Sequence, residues 1–199
     1  MDQERERLLA ILREKSLKLG NFTLVSGQRS HYYFDSKFTT LDPEGAYLTA
    51  RLVLAEIRKQ GIDVEAIGGL TLGADPIVSA AAAVSYACRD QFRPLRAFIV
   101  RKEPKKHGTQ RYIEGLEPAP GMPVAIIDDV CTTGGSTLKA IRGAEEAGMR
   151  VAAVLCLVDR EQGGREALSA YPFYPLFTAR ELLDDPVIQE RLRELEQSA

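Results

Sequence analysis

The sequence predicts an α/β fold with a mostly parallel sheet flanked by helices. From residue 64 onward, short apolar runs alternate with helical patterns, as the repeated β-α units of a parallel sheet require. One apolar run ends in paired acids and a turn of small polar residues before the next helix, which is typical of the ligand-binding edge of such a sheet. The 199 residues, 45% hydrophobic and 27% charged, suit one globular domain spanning residues 1–199.

The N-terminal segment falls outside this alternation. Residues 4–19 place aliphatic side chains among charges and stop at Gly20, which predicts an amphipathic helix. Residues 22–40 are rich in aromatic and β-branched side chains and predict a hairpin of short strands. We expect residues 1–40 to form a small cap, or hood, over the ligand-binding edge of the sheet.

The elements that follow are defined by turn chemistry and apolar runs. Asp42 and Pro43 open a helix that ends near Gln60, because Asp is a favoured N-cap and Pro suits the first helical turn. Pro175 places the last strand at a sheet edge, since proline cannot donate a ladder hydrogen bond. The predicted strands are 64–68, 95–101, 123–128, 150–158 and 173–178. The other predicted helices are 74–89, 136–147, 163–170 and 186–196, and 102–115 is a polar loop.

The composition argues against several classes of protein. A formal net charge of −2 gives no global basic field that would attract nucleic acid. Cys88, Cys131 and Cys156 lack the spacing of a disulfide framework or a zinc site. The charged N-terminus has no signal-peptide apolar core, and no apolar run is long enough to span a bilayer. We therefore expect a cytoplasmic protein that binds neither nucleic acid nor a membrane.

The stretch from Val124 to Thr137 carries the strongest functional signal. A strand, a polar turn and a helix N-terminus follow one another, and small residues in such a turn expose N–H groups that suit a phosphate. Asp128 and Asp129 precede the turn and suit ribose hydroxyls or the water shell of a magnesium ion. The Gly-Lys-Ser/Thr ending of a Walker loop is absent. The stretch resembles the ribose-phosphate-binding signature of type I phosphoribosyltransferases, which use phosphoribosyl pyrophosphate (PRPP).

A basic loop, residues 101–111, forms a second cluster. It holds five Lys or Arg residues and one of the two histidines. Most charge runs are solvated surface, and that alternative stays open here. The position of the loop directly before the phosphate-binding unit favours function instead, because its cations would neutralise a pyrophosphate leaving group.

Further motifs resemble those of orotate phosphoribosyltransferases. Arg-Lys-Glu-x-Lys-x-His-Gly from Arg101 resembles the catalytic loop of that family. Phe-Thr-Leu-x-Ser-Gly from Phe22, with residues 30–37, resembles its N-terminal substrate motif. Residues 68–76 are similar to its substrate loop, and Val-Asp-Arg at 158–160 matches the strand end that bears its orotate-binding arginine. The motifs stand in the family's order and cover most of the chain.

The resemblance implies both a reaction and the roles of residues. The family joins orotate to PRPP, giving orotidine 5′-monophosphate and pyrophosphate in pyrimidine biosynthesis. The implied catalytic residues are Lys105, His107, Asp128 and Asp129. The implied PRPP-binding residues are Arg101, Lys102, Lys105, His107, Asp128, Asp129, Val130, Cys131, Thr132, Thr133, Gly134, Gly135 and Ser136. The implied orotate-binding residues are Thr132, Arg160, Tyr33 and Phe34.

The resemblance also implies a cofactor and an assembly. Mg²⁺ would be held by PRPP rather than directly by the protein, with Asp128 and Asp129 nearby. The catalytic loop would reach the site of a neighbouring subunit, so a homodimer is implied. Two positions depart from the family pattern: Val25 stands where many members have a lysine, and Lys106 stands where an acid is common. Lys37 is a candidate replacement for the missing lysine.

Alternatives remain at this point. A phosphoribosyltransferase for a purine base would share the PRPP loop, although the N-terminal motif and Arg160 speak against it. A PRPP-sensing regulator of the same fold would need a basic face for nucleic acid. Tyr33 and Phe34 would serve equally well as hairpin core, because aromatic residues favour strands. Arg160 would alternatively be part of an exposed charge cluster.

Overall fold

The computed structural model describes residues 1–23, 29–103 and 112–197. The strands are β1 (Leu17–Thr23), β2 (Arg29–Phe34), β3 (Ala66–Leu70), β4 (Arg96–Val100), β5 (Ile113–Glu114), β6 (Pro123–Cys131), β7 (Arg150–Asp159) and β8 (Phe173–Thr178). The helices are α1 (Asp2–Ile11), α2 (Lys37–Thr40), α3 (Pro43–Lys59), α4 (Asp75–Ala87), α5 (Gly135–Glu146), α6 (Gly164–Ala167), α7 (Ala179–Leu183) and α8 (Pro186–Gln197). A π-helical turn, Leu12–Ser16, continues α1.

Two sheets form within the described residues. Six strands make the central sheet in the order β5-β4-β3-β6-β7-β8, and β1 pairs with β2 in a separate antiparallel sheet. All neighbours in the central sheet are parallel except the pair β4 and β5. β8 lies at one edge, as Pro175 predicts.

Side chains of β6 alternate between the two faces of the central sheet. Ala125 and Ile127 pack with residues of α1, α3 and α4, whereas Val124 and Ile126 pack with residues of α5. All four side chains are fully buried. Helices therefore cover both faces, which confirms the fold class predicted from the alternating pattern. Among the helices of the described ranges, none combines the length and the apolar character needed to cross a bilayer.

Two glycines let β3 approach its neighbours closely. A Cβ added at Gly68 would lie 2.3 Å from the ring of Phe98. A Cβ added at Gly69 would lie 2.1 Å from the carbonyl oxygen of Ile127 in β6. The centre of the sheet thus has no room for a side chain at these two positions.

The N-terminal segment differs from its prediction at two places. The helix predicted over 4–19 ends with its π-helical turn at Ser16, because Leu17 pairs with Phe34 in the small sheet and is buried there. Residues 37–40 form α2 rather than a strand, because the carboxylate of Asp35 accepts a hydrogen bond from the N–H of Lys37 at 3.1 Å and begins a turn.

Other element bounds were only partly predictable. β6 runs to Cys131 instead of ending at residue 128, since its last residues keep pairing with β7. β5 lies inside the predicted polar loop, of which residues 104–111 fall outside the described ranges. α7 was missed, although Thr178 and Glu181 form the capping box that announces its N-terminus. The role of residues 1–40 as a cap stays a prediction.

We expect Gly69→Ala to lower the free energy of unfolding by about 2 kcal/mol or more, the usual cost of overpacking a core. The added Cβ would meet a backbone carbonyl of the neighbouring strand, which cannot rotate away. Urea unfolding followed by circular dichroism measures the loss. Gly20→Ala is the matched control, because its Cβ would lie at an ordinary 3.5 Å from the Phe22 ring. Equal stability of both variants would contradict the close approach of β3 and β6.

Candidate active site

The carboxylate of Asp128 joins the end of β6 to the first turn of α5. Asp128 is 5% exposed. Its Oδ2 accepts hydrogen bonds from the hydroxyls of Ser136 at 2.6 Å and Thr137 at 2.7 Å, and its Oδ1 accepts one from the N–H of Asp129 at 3.1 Å. The strand end and the helix N-terminus are therefore held together by one buried acid.

Burial raises the pKa of Asp128 to about 6. The two hydroxyl hydrogen bonds oppose this rise, because they favour the charged form, whereas the neighbouring charge of Asp129 adds to it. Asp128 is thus mostly ionised at neutral pH and becomes protonated under mildly acidic conditions.

Asp129 lies where three segments of the chain meet. Its Oδ2 accepts a short hydrogen bond from the hydroxyl of Ser36, which is 1% exposed. Its Oδ1 would lie 2.3 Å from a Cβ added at Gly73, so the loop after β3 packs directly against the carboxylate. The negative charge of Asp129 also contributes to a raised pKa of Lys37. Sequence reasoning did not single out Ser36 or Gly73, because their roles depend on contacts between distant segments.

The loop between β6 and α5 presents small residues to solvent. Thr133, Gly135 and Ser136 are exposed, and Thr132 is half-buried. Gly134 is the N-cap of α5 and has a φ of +79°, a conformation that favours glycine. The N–H groups of a first helical turn have no partner within the helix, and the helix dipole adds positive potential there. This geometry suits an anion such as phosphate.

Two predicted PRPP-binding residues, Val130 and Cys131, belong to β6 itself. Cys131 is fully buried, and its sulfur would lie 2.4 Å from a Cβ added at Gly164. Burial, together with the charges of Asp128 and Asp159, raises the pKa of the Cys131 thiol to about 11. The thiol therefore stays protonated at neutral pH and is a poor nucleophile. The side chain of Val130 packs against the core, so main-chain atoms are what these two residues can offer a ligand.

Arg160 follows directly after β7. Its N–H donates to the carbonyl oxygen of Cys131 at 2.8 Å, which brings the ends of β6 and β7 together. The Cζ atom of its guanidinium lies 5.0 Å from the centre of the Tyr32 ring. Tyr32, Phe34 and Arg160 line one small cavity between the N-terminal sheet and β7. Arg160 is therefore not part of a merely exposed charge cluster.

The structure does not bring the side chains of Tyr33 and Phe34 together. Successive residues of a strand point to opposite faces. Phe34 is 9% exposed and packs in the core, whereas Tyr33 is 42% exposed and its ring lies 5.8 Å from that of Phe22. Tyr32 shares its face with Phe34; it lies within the motif at residues 30–37, but sequence reasoning gave it no role of its own. The period of two along β2 was the signal that would have found it.

The basic loop begins at the same edge of the sheet. Arg101 follows β4, donates its N–H to the carbonyl oxygen of Tyr112 at 2.9 Å and forms a 3.3 Å ion pair with Glu114. Lys102 is exposed. The other two predicted site residues of this loop, Lys105 and His107, lie outside the described residues.

We expect the burial of Asp128 to give the stability a distinct pH dependence. Because its folded pKa of about 6 exceeds the ordinary 3.8, the stabilisation that this group provides is complete below pH 4 and is lost as the pH rises through 6. The free energy of unfolding, wild type minus Asp128→Asn, should fall by about 3 kcal/mol from pH 4 to pH 7. Urea titrations at both values test this, with exposed Asp90→Asn as control. Parallel profiles of wild type and Asp128→Asn would refute it.

Comparisons with known proteins agree with this geometry. The chain is 46% identical over 185 residues to the orotate phosphoribosyltransferase of Aquifex aeolicus (strain VF5), covering 90% of this chain and 98% of that protein. It is 48% identical over 178 residues to that of Synechocystis sp., covering 88% and 87%. No family model matches the sequence.

Solved structures give the same result. The orotate phosphoribosyltransferase of Mycobacterium tuberculosis in complex with Fe(III) dicitrate superposes with a TM-score of 0.78 and 35% identity, covering 90% of this chain and 98% of that one. The same protein in complex with PRPP gives a TM-score of 0.74 and 32% identity over equal shares. The fold is that of type I phosphoribosyltransferases, and the chain belongs to the orotate phosphoribosyltransferase family.

Proposed function

We propose that this chain transfers the ribose 5-phosphate of PRPP to orotate, giving orotidine 5′-monophosphate and pyrophosphate in pyrimidine biosynthesis. The observation that carries the proposal is the paired acids, Asp128 and Asp129, directly before a loop of small residues at the N-terminus of α5. Family membership supplies the identity of the substrates.

The PRPP site is proposed to divide into two parts. Residues 132–136 surround the 5′-phosphate with main-chain N–H groups and hydroxyls, in the positive potential of the helix N-terminus. Asp128 and Asp129 face the ribose hydroxyls, for which an ionised carboxylate is a suitable acceptor. The hydroxyl of Ser36 and the backbone at Gly73 keep Asp129 in place.

The proposed reaction uses no covalent nucleophile and depends on charged groups that stabilise the leaving pyrophosphate. The bond from C1 of the ribose to pyrophosphate breaks, its electron pair leaves with the pyrophosphate, and N1 of orotate bonds to C1 and releases its proton. Arg101, Lys102 and Lys105 are proposed to stabilise the leaving anion, as preorganised charges do in a closed site. His107 is proposed to donate either a proton or a hydrogen bond to it.

Mg²⁺ is part of the proposal. Among the described residues, no cluster of three or more His, Cys, Asp or Glu side chains is placed to hold a metal ion by itself. The ion is proposed to be held by the phosphates of PRPP and by water, as Mg²⁺ prefers, with the carboxylates of Asp128 and Asp129 near its water shell. The ion would neutralise charge on the pyrophosphate when bound.

The orotate pocket is proposed to lie between Thr132 and Arg160. A planar guanidinium fork matches a planar carboxylate, so Arg160 is the natural partner for the carboxylate of orotate. Phe34 supports this region from the core, and Tyr33 stays a proposed contact on the outer face of β2.

Lys37 is proposed to take over from the lysine that Val25 replaces. It forms a 2.9 Å ion pair with Asp35. The hydrogen bond to Asp35 raises the pKa of Lys37, and the charge of Asp129 adds to the effect. Lys37 is therefore a firmly charged group beside the acid that is proposed to bind ribose.

A homodimer with a shared catalytic loop is also proposed. α4 carries no charged residue from Pro76 to Ala87, and its outer side exposes Ala83 and Tyr86. Such an uncharged surface suits the centre of a subunit interface.

A cytoplasmic location is proposed as well, and the three free cysteines fit a reducing compartment.

Orotate consumption, followed by ultraviolet absorbance, tests the activity. We expect loss of absorbance only when both PRPP and Mg²⁺ are present. Asp129→Asn should lower turnover about 100-fold, the effect typical of losing a preorganised electrostatic contact. Glu146→Gln, an exposed acid at the far end of α5, is the control and should leave turnover unchanged.

The same assay with adenine, hypoxanthine and uracil distinguishes the outcomes. Turnover of a purine base in place of orotate would overturn the substrate assignment. Binding of PRPP without turnover of any base would point to a sensor of the same fold.

Mixing two variants of reduced turnover tests the shared loop. In a Lys105→Ala and Arg160→Ala heterodimer, one of the two sites would combine an intact loop with an intact orotate pocket if the loop crosses the dimer. Random mixing of a two-fold dimer should then restore about a quarter of wild-type activity. No recovery, with heterodimers verified by mass spectrometry, would place the loop in its own subunit.

A further inference from the structure

Arg160 has a buried nitrogen without a partner. Within the described residues, its Nε is shielded from solvent and has no hydrogen-bond partner. A buried donor without a partner costs free energy. In a ligand-binding region, such a donor is explained either by an acceptor on the ligand or by a neighbouring group that keeps the side chain in place. The ring of Tyr32, 5.0 Å from Cζ, is the aromatic surface in contact with the guanidinium.

The backbone at Arg160 is fixed from both sides. Its own N–H is bonded to the carbonyl oxygen of Cys131. The next residue, Glu161, has a φ of +56°, which is unusual for a residue other than glycine. Asp159 accepts the N–H of Glu161 at 2.8 Å, and Glu161 forms a 3.2 Å ion pair with Arg180. With the backbone fixed, the direction of the Arg160 side chain depends on the groups that its guanidinium contacts.

The Tyr32 ring is itself well anchored. Tyr32 pairs with Leu19 across the small sheet and packs against the main core. The hydroxyl of Ser30 donates to the carbonyl oxygen of Tyr32 at 2.7 Å. The ring therefore offers Arg160 a rigid surface instead of a movable one.

We propose that Tyr32 is a positioning residue that holds the face of the Arg160 guanidinium, so that its hydrogen-bonding edge meets the carboxylate of orotate. Stacking on an aromatic ring leaves the in-plane N–H groups of arginine available for a bidentate contact. The proposal rests on the proposed function. It assigns Tyr32 no contact with the reacting atoms.

Steady-state kinetics of Tyr32 variants test the proposal. Tyr32→Leu should raise the KM for orotate about 3- to 30-fold, the range of a cation–π contact, and leave the KM for PRPP unchanged. Tyr32→Phe keeps the ring and should restore the wild-type KM. Tyr174→Leu is the matched control, because Tyr174 is another half-buried tyrosine packed on the same core.

A double-mutant cycle separates positioning from general packing. In an Arg160→Ala background, Tyr32→Leu should add less than about a twofold change to the KM for orotate, because coupled residues are not additive. Full additivity, a wild-type KM for Tyr32→Leu, or an equal rise for Tyr32→Phe would overturn the proposal while leaving the activity intact. Absence of orotate turnover in the wild type would instead refute the proposed function and this inference together.

Discussion

The buried carboxylate of Asp128 is the constraint on which the site depends. Its two hydroxyl hydrogen bonds clamp the end of β6 to the N-terminus of α5, and its third bond fixes the backbone of Asp129. A buried charge is costly unless it is hydrogen-bonded, so these contacts are needed for the acid to remain ionised near neutral pH. The loop between β6 and α5 and the half-buried acid Asp129 are thereby held in one geometry.

The centre of the sheet extends this constraint to other strands. The absence of a side chain at Gly69 lets β3 lie against β6, and the loop after β3 then reaches the carboxylate of Asp129 through Gly73. Arg160 after β7 and Arg101 after β4 arrive at the same edge, because the carboxyl ends of parallel strands all point one way. Groups that follow four different strands therefore lie at one edge of the sheet, and no single segment carries the whole site.

Local features of the sequence predicted the architecture, and long-range contacts decided the rest. The β-α alternation, the strand, turn and helix N-terminus from Val124 to Thr137, and the edge position of Pro175 follow from periods and turn chemistry, and all were predicted. The strand at Leu17 was missed because its pairing with Phe34, rather than its local pattern, makes it a strand. The contact of Ser36 with Asp129 joins residues 93 apart, and no local signal announces it. The predicted roles of Lys105 and His107 stay predictions.

The proposed site must bind anionic substrates although it contains two acids. Two acids directly before a phosphate loop would repel PRPP if both were unscreened. The charge of the buried Asp128 is stabilised by hydrogen bonds from the hydroxyls of Ser136 and Thr137. The charge of Asp129 interacts with the cation of Lys37. Arg101 and Arg160 supply positive charge at the ends of two other strands. Because the chain has a net charge of −2, such local positive charge at one edge is needed to attract anionic substrates. In the proposed site, the acids would then recognise the ribose hydroxyls, and the cations would hold the phosphates and the carboxylate of orotate.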